Sequence, residues 1–123
     1  MMTLMIVDDS TLIRRRIMRE SDKKKFNIVA NASNGIEAFE LFVEHRPQVV
    51  TMDLTMPQLD GIGSIEKIME VDPDVQILVI SALSDQGIGI EAIEKGAAGF
   101  LIKPFTQEQL IDALVIISED IEQ

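Results

Sequence analysis

Val49-Val50-Thr51-Met52-Asp53-Leu54-Thr55-Met56-Pro57 is the stretch that decides how this chain folds. Apolar and β-branched residues run without interruption into one aspartate, the signature of a short strand covered on both faces. Met56-Pro57 and then Gly61 mark a bend before the next helical pattern. Asp53 is thereby delivered to the rim of a sheet.

Similar strands lie on either side. Thr3 to Val7 is an apolar run ending at Asp8-Asp9-Ser10, Val75 to Ile80 ends at Ser81-Ala82, and Gly99-Phe100-Leu101-Ile102 ends at Lys103-Pro104. Phe26 to Ala32 alternates instead, with Phe26, Ile28, Ala30 and Ala32 on one face and Asn27 and Asn31 on the other, as an edge strand does. Helical patterns separate the strands. Ser10 caps the first, whose Ile13 and Ile17 face inward while Arg14, Arg15 and Arg16 turn largely outward. Asn34 opens the second, with Glu37 at the capping-box position, Ala38, Leu41 and Phe42 inward, and Arg46-Pro47 as its end. Ile62, Ile65 and Met69 form the buried stripe of the third, which Asp72-Pro73 stops. Ser84 or Asp85 caps the fourth, where Ile90, Ile93 and Ala97 share the inward face and Gly87 and Gly89 weaken the helix. Thr106, with Gln109 in the boxing position, caps the fifth, striped by Leu110, Leu114, Ile117 and Ile121. The βα unit therefore occurs five times, which predicts an α/β, doubly wound domain with a parallel five-stranded sheet and helices on both faces.

The bulk composition agrees and excludes several functions. The 123 residues fit a single domain spanning 1–123. With no cysteine, disulfides, thiolate metal sites and thiol catalysis are excluded, and a reducing cytoplasm suits the chain. No apolar run reaches membrane-spanning length. The formal charge of −10, with only Arg14-Arg15-Arg16 and Lys23-Lys24-Lys25 as short basic runs and no Tyr or Trp, argues against direct nucleic-acid binding. His45, the only histidine, ends the second helix and reads as a surface residue.

Polar groups converge at the strand ends. In an open parallel sheet these lie on one edge, where ligands bind at the point of strand-order reversal. If the strand order is 2-1-3-4-5, Asp8, Asp9 and Asp53 share one pocket, and Ser81 and Lys103 flank it. Carboxylates that crowd together need a cation, and oxygen-only donors select Mg²⁺, or Mn²⁺, over Zn²⁺. Asp9 and Asp53 would hold it, with Asp8 beside them or acting through water, and the backbone carbonyl of Thr55 as a further ligand. Lys103 would pair with Asp53 or a bound phosphate, and Ser81 would donate to a phosphate oxygen. The set suits in-line phosphoryl transfer onto Asp53 as nucleophile.

At Val7-Asp8-Asp9-Ser10, Met52-Asp53-Leu54-Thr55-Met56-Pro57 with Asp60-Gly61, Ser81-Ala82, and Gly96-Ala97 through Phe100 to Lys103-Pro104-Phe105, the chain resembles the receiver domain of bacterial two-component response regulators, in its single-domain chemotaxis form. The resemblance covers essentially the whole chain and implies the flavodoxin-like (βα)5 fold. It implies that Asp53 is the phosphoacceptor for a histidine kinase, that Asp8 and Asp9 assist Mg²⁺, and that the backbone N–H of Ala82 supports the phosphate. It also implies a switch of Ser81 and Phe100, read by an effector protein on the face of the fourth helix, fifth strand and fifth helix. The protein would then be a cytoplasmic monomer or weak phosphorylation-dependent dimer. It would catalyse only its own phosphorylation and dephosphorylation.

Some positions depart from the chemotaxis pattern. Phe100 lacks the hydroxyl of a tyrosine, Thr55 stands where Asn is common, and Leu83 where Glu is common. The fourth helix lacks the basic residues of enteric chemotaxis receivers, and its Ile88 points away from the Ile90 face. Alternatives are a receiver cut from a larger regulator, a non-chemotaxis relay intermediate, an aspartyl-phosphate hydrolase of the haloacid dehalogenase type, and a nucleotide- or flavin-binding domain. The hydrolase needs a second Asp where Thr55 stands, and the nucleotide reading needs a glycine-rich turn where Asp8-Asp9-Ser10 stands.

Overall fold

The structure, a computed structural model, describes residues 1–54, 61–82, 86–119 and 121. The expectations for Thr55, Met56-Pro57, Asp60, Leu83, Ser84 and Asp85 lie outside those residues. The chain runs β1 (Met2–Val7), α1 (Thr11–Glu20), β2 (Phe26–Ala32), α2 (Gly35–His45), β3 (Val49–Asp53), α3 (Gly61–Val71), β4 (Gln76–Ala82), α4 (Gln86–Glu94), β5 (Gly99–Lys103) and α5 (Gln107–Ser118). All strand pairs are parallel, in the order β2-β1-β3-β4-β5. This is the expected doubly wound architecture.

Alternate residues of the central strands feed two cores. Met5, Val7, Val50, Met52, Ile77 and Val79 pack under α2, α3 and α4, with Phe42, Ile65 and Ala92. Leu4, Ile6, Val49, Leu78, Ile80 and Leu101 pack under α1 and α5, with Ile17, Leu110, Leu114 and Ile117. Burial on both faces is what the unbroken apolar runs require.

The helix ends follow local chemistry. Ser10, Asn34 and Thr106 are N-caps whose side chains accept from the N–H three residues on. Thr106 and Gln109 form the full reciprocal box, with both bonds present. Glu37 departs from expectation, since its carboxylate accepts the N–H of Ser33 at 3.1 Å instead of that of the cap residue.

Three other expectations are corrected. Phe26, Ile28, Ala30 and Ala32 do not share one face. The β1–β2 register shifts between Leu4 and Met5, so that Ile28 opposes Leu4 and Ala30 opposes Met5. Phe26 and Ile28 therefore join the α1/α5 core and Ala30 and Ala32 the other. In α4, Gly89 and Ala92 face inward, while Ile90 and Ile93 are 64% and 43% exposed. The helix packs so closely that a Cβ on residue 89 would lie 1.9 Å from the Phe100 ring. Small residues at i and i+3 permit that approach and roll the isoleucines outward. Finally, only Arg15 of the arginine run is fully exposed; Arg14 and Arg16 are half-buried.

Thr51 sits fully buried in β3, and its Oγ1 has no hydrogen-bond partner among the described residues. A buried hydroxyl without a partner loses its hydration uncompensated. Thr51→Val is expected to raise the unfolding free energy by about 1 kcal/mol, measured by urea denaturation. A clear loss would show that the hydroxyl is satisfied.

Candidate functional site

The site stands at the C-terminal ends of β1, β3, β4 and β5, where β1 and β3 are neighbours and the chain winds away in both directions. Asp8 extends the ladder beyond β1, its N–H donating to the Ala32 carbonyl at 3.0 Å. Its Oδ1 accepts the Ser10 N–H at 2.9 Å, which folds the carboxylate back over the start of α1. Asp53 is the last residue of β3 and is as buried as Asp8. Lys103 ends β5 and reaches back across the sheet edge. Its Nζ donates to Asp53 Oδ2 at 3.1 Å and stands 3.6 Å from Asp8 Oδ2. The first distance is a charge-assisted hydrogen bond. The second is too long for one and acts through charge alone.

Asp9 completes the cluster from the exposed side. One carboxylate oxygen each from Asp8, Asp9 and Asp53 lies within 4.8 Å of the others. Burial pushes the Asp8 carboxyl above its ordinary value of 3.8, and the charges of Asp53 and Asp9 push the same way. The Ser10 N–H and the Lys103 ammonium oppose them without reversing the shift. Asp8 Oδ2 is buried and accepts no hydrogen bond among the described residues. A buried anionic oxygen left in that state, in an all-oxygen cluster, fits a hard divalent cation.

Ser81 is fully buried next to this group. Its Oγ donates to the Ala82 carbonyl at 3.3 Å. Along β4 it alternates with Ile80, so it shares the α4-side face with Ile77 and Val79. Phe100 lies on the same side in β5, in register with Val79, its ring packed against Gly89 of α4. Ala82 follows Ser81 in register with Lys103. The structure thus brings together Asp8, Asp9, Asp53 and Lys103, with Ser81 and Ala82 alongside. Phe100 is one layer deeper. Thr55 lies outside the described residues.

Arg14 was not foreseen as part of this region. Its Nη1 donates to the Asp8 backbone carbonyl at 2.6 Å, and its Nη2 to Thr11 Oγ1 at 3.2 Å. A signal was available, because a cation in the first turn of a helix opposes the helix dipole and calls for a partner.

The receiver-domain profile, described as "Response regulator receiver domain", matches residues 4–115. The chain belongs to the response regulator receiver family. It is 40% identical over 117 residues to the chemotaxis protein CheY of Listeria monocytogenes, covering 93% of this chain and 96% of that one. Among solved structures, the receiver domain of AraT from Geobacillus stearothermophilus superposes with a TM-score of 0.92 at 31% identity, over 99% and 96% of the two chains. A CheY from Borrelia burgdorferi, solved with CheX, beryllofluoride and Mg²⁺, superposes at 0.85 with 31% identity, over 93% and 87%. This receiver is accordingly a phosphorylation-activated two-component regulator of CheY-like form, a signalling protein.

The raised Asp8 carboxyl fixes the sign of a pH effect. Its proton is held more tightly in the folded chain than in the unfolded one, so its ionisation penalises folding at neutral pH. The penalty disappears as pH falls through the raised folded value toward 3.8. Asp8→Asn is expected to stabilise the metal-free protein at pH 7 by roughly 1–2 kcal/mol, as relief of functional-site strain often does, while weakening Mg²⁺ binding. The stability gap should close on acidification. Denaturation curves across that range, with Mg²⁺ calorimetry, check both parts. A variant less stable at pH 7 would contradict them.

Proposed function

We propose that Asp53 is the phosphoacceptor and that a phosphohistidine of a histidine kinase is its donor. The observation that carries this reading is the Lys103 ammonium, held 3.1 Å from Asp53 Oδ2 and 3.6 Å from Asp8 Oδ2 at the sheet edge. An Asp53 oxygen attacks phosphorus, the new P–O bond forms as the P–N bond breaks, and the electron pair returns to the donor imidazole. Lys103 stays beside the transferred oxygens and balances charge that the buried carboxylates would otherwise repel.

Asp8, Asp9 and Asp53, with the Thr55 carbonyl, would hold Mg²⁺, with Mn²⁺ as a substitute. The ion supplies positive charge against the phosphoryl oxygens. The Ser81 hydroxyl and the Ala82 N–H would donate to those oxygens. Ser81 would have to give up the Ala82 carbonyl for this, and it shares its face of the sheet with Phe100. That linkage supports Ser81 and Phe100 as the switch, a new charge biasing a two-state packing.

The reader of the switch would be an effector protein on the α4-β5-α5 face. Ile90 and Ile93 on α4 and Ile116 on α5 are exposed there, so the contact would be apolar in place of the basic one of enteric chemotaxis proteins. Ile88 is exposed as well, as expected. The protein acts as a single receiver domain over 1–123 in the cytoplasm, as a monomer or a phosphorylation-dependent dimer. No helix among the described residues is long and apolar enough to cross a membrane. Its catalysis is confined to its own phosphorylation and dephosphorylation.

With a small phosphodonor and Mg²⁺, the wild-type chain should gain one phosphoryl group by intact mass, and Asp53→Asn should gain none. Undiminished labelling of the variant would place the acceptor elsewhere.

A further inference from the structure

Among the described residues, Arg16 is the member of the arginine run that reaches the segment after β5. From α1 its Nη2 donates to the backbone carbonyl of Phe105, in a short contact. Its guanidinium carbon lies 4.4 Å from the centroid of the Phe105 ring. Its Nε donates to Glu20 Oε2 at 3.0 Å, one turn along the same helix. An ion pair of this exposure contributes little by itself. A planar guanidinium held by a carboxylate, a carbonyl and a ring face is nevertheless fixed in orientation, in a way an ammonium cannot reproduce.

What it holds matters for the site. Phe105 is buried, two residues after Lys103 and one before the Thr106 cap of α5. The Lys103-Pro104-Phe105 segment therefore joins β5 to α5. Arg16 ties its carbonyl to α1, while Arg14 ties the Asp8 carbonyl to the same helix. Helix α1 thus braces both loops that bring charge to Asp53: the carboxylate loop through Arg14, and the lysine loop through Arg16.

We infer that Arg16 is a positioning residue for phosphoryl transfer, setting the Lys103 ammonium relative to Asp53 through its hold on Phe105. The inference rests on the phosphoacceptor reading of Asp53. It separates two groups of residues. Arg16 should matter for the rate of transfer, where Lys103 acts, and not for the affinity of the carboxylates for a cation.

The test is the rate of labelling by a small phosphodonor at saturating Mg²⁺, with Mg²⁺ affinity measured in parallel by calorimetry. Arg16→Met keeps the aliphatic bulk over Phe105 and removes the donors. It should label about tenfold more slowly, the scale expected for a slightly misplaced group, with Mg²⁺ affinity unchanged. Arg16→Lys, which keeps a cation and a donor, should recover part of the rate. In a Lys103→Ala background, adding Arg16→Met should slow labelling no further, because the group it positions is gone. A wild-type rate in Arg16→Met would overturn the inference. So would the same fold-loss with and without Lys103, which marks general loosening. Failure of the wild-type chain to accept phosphate at all would instead overturn the phosphoacceptor reading, and is seen before any variant is made.

Discussion

One lysine ammonium facing two buried carboxylates is the constraint on which this structure depends. Asp8 and Asp53 are both stripped of water, and desolvating two anions side by side is costly unless cations answer them. Lys103 meets Asp53 at hydrogen-bond distance and Asp8 only through space. Burial pushes the Asp8 carboxyl up, and the charges of Asp53 and Asp9 add to the push. Receiver domains bind Mg²⁺ at an acidic pocket of this kind, and the Asp8, Asp9 and Asp53 cluster fits such an ion.

The fold keeps that tension local. Parallel strands buried on both faces bring their C-terminal ends to one edge, and β1 and β3 are adjacent because the winding reverses between them. The period of two along each strand then divides the labour. Asp53, like Thr51 and Val49, projects to the α1/α5 side, and Leu101 and Lys103 do the same in β5. Ser81 and Phe100 belong to the α4 side. Lys103 meets the carboxylates on one side of the sheet, and the proposed switch residues lie on the other. Ser81, fully buried and adjacent to Asp53's neighbour Ile80, is the point where the two sides meet.

β1, β3, β4 and β5 and the charged residues at their ends were legible in the sequence, because strands buried on both faces read as apolar runs that stop at a polar residue, while the strand order came only with the family resemblance. The orientation of α4 was not legible. Ile90, Ile93 and Ala97 look like an inward stripe, but helical periodicity cannot anticipate that Gly89 lets the Phe100 ring approach the helix backbone. The divided β2 strand was hidden for a related reason. One shifted register step reverses every side chain after it, and no residue in Phe26–Ala32 announces the shift. Arg14 and Arg16 read as solvated charges since the groups that tie them to the two loops include backbone carbonyls, of Asp8 and Phe105, and carbonyls carry no residue-type signal.

On the proposed function, the charge arrangement directs the phosphoryl group to Asp53 and to neither of its neighbours. An acyl phosphate is a mixed anhydride, and borohydride reduces its carbonyl to an alcohol, turning the modified aspartate into homoserine. Peptide mass mapping of the phosphorylated chain after such trapping is the most direct measurement. Homoserine at position 53 alone, with Asp8 and Asp9 intact, is the predicted result. Reduction at position 8 or 9, or labelling that leaves all three aspartates unreduced, would contradict the account.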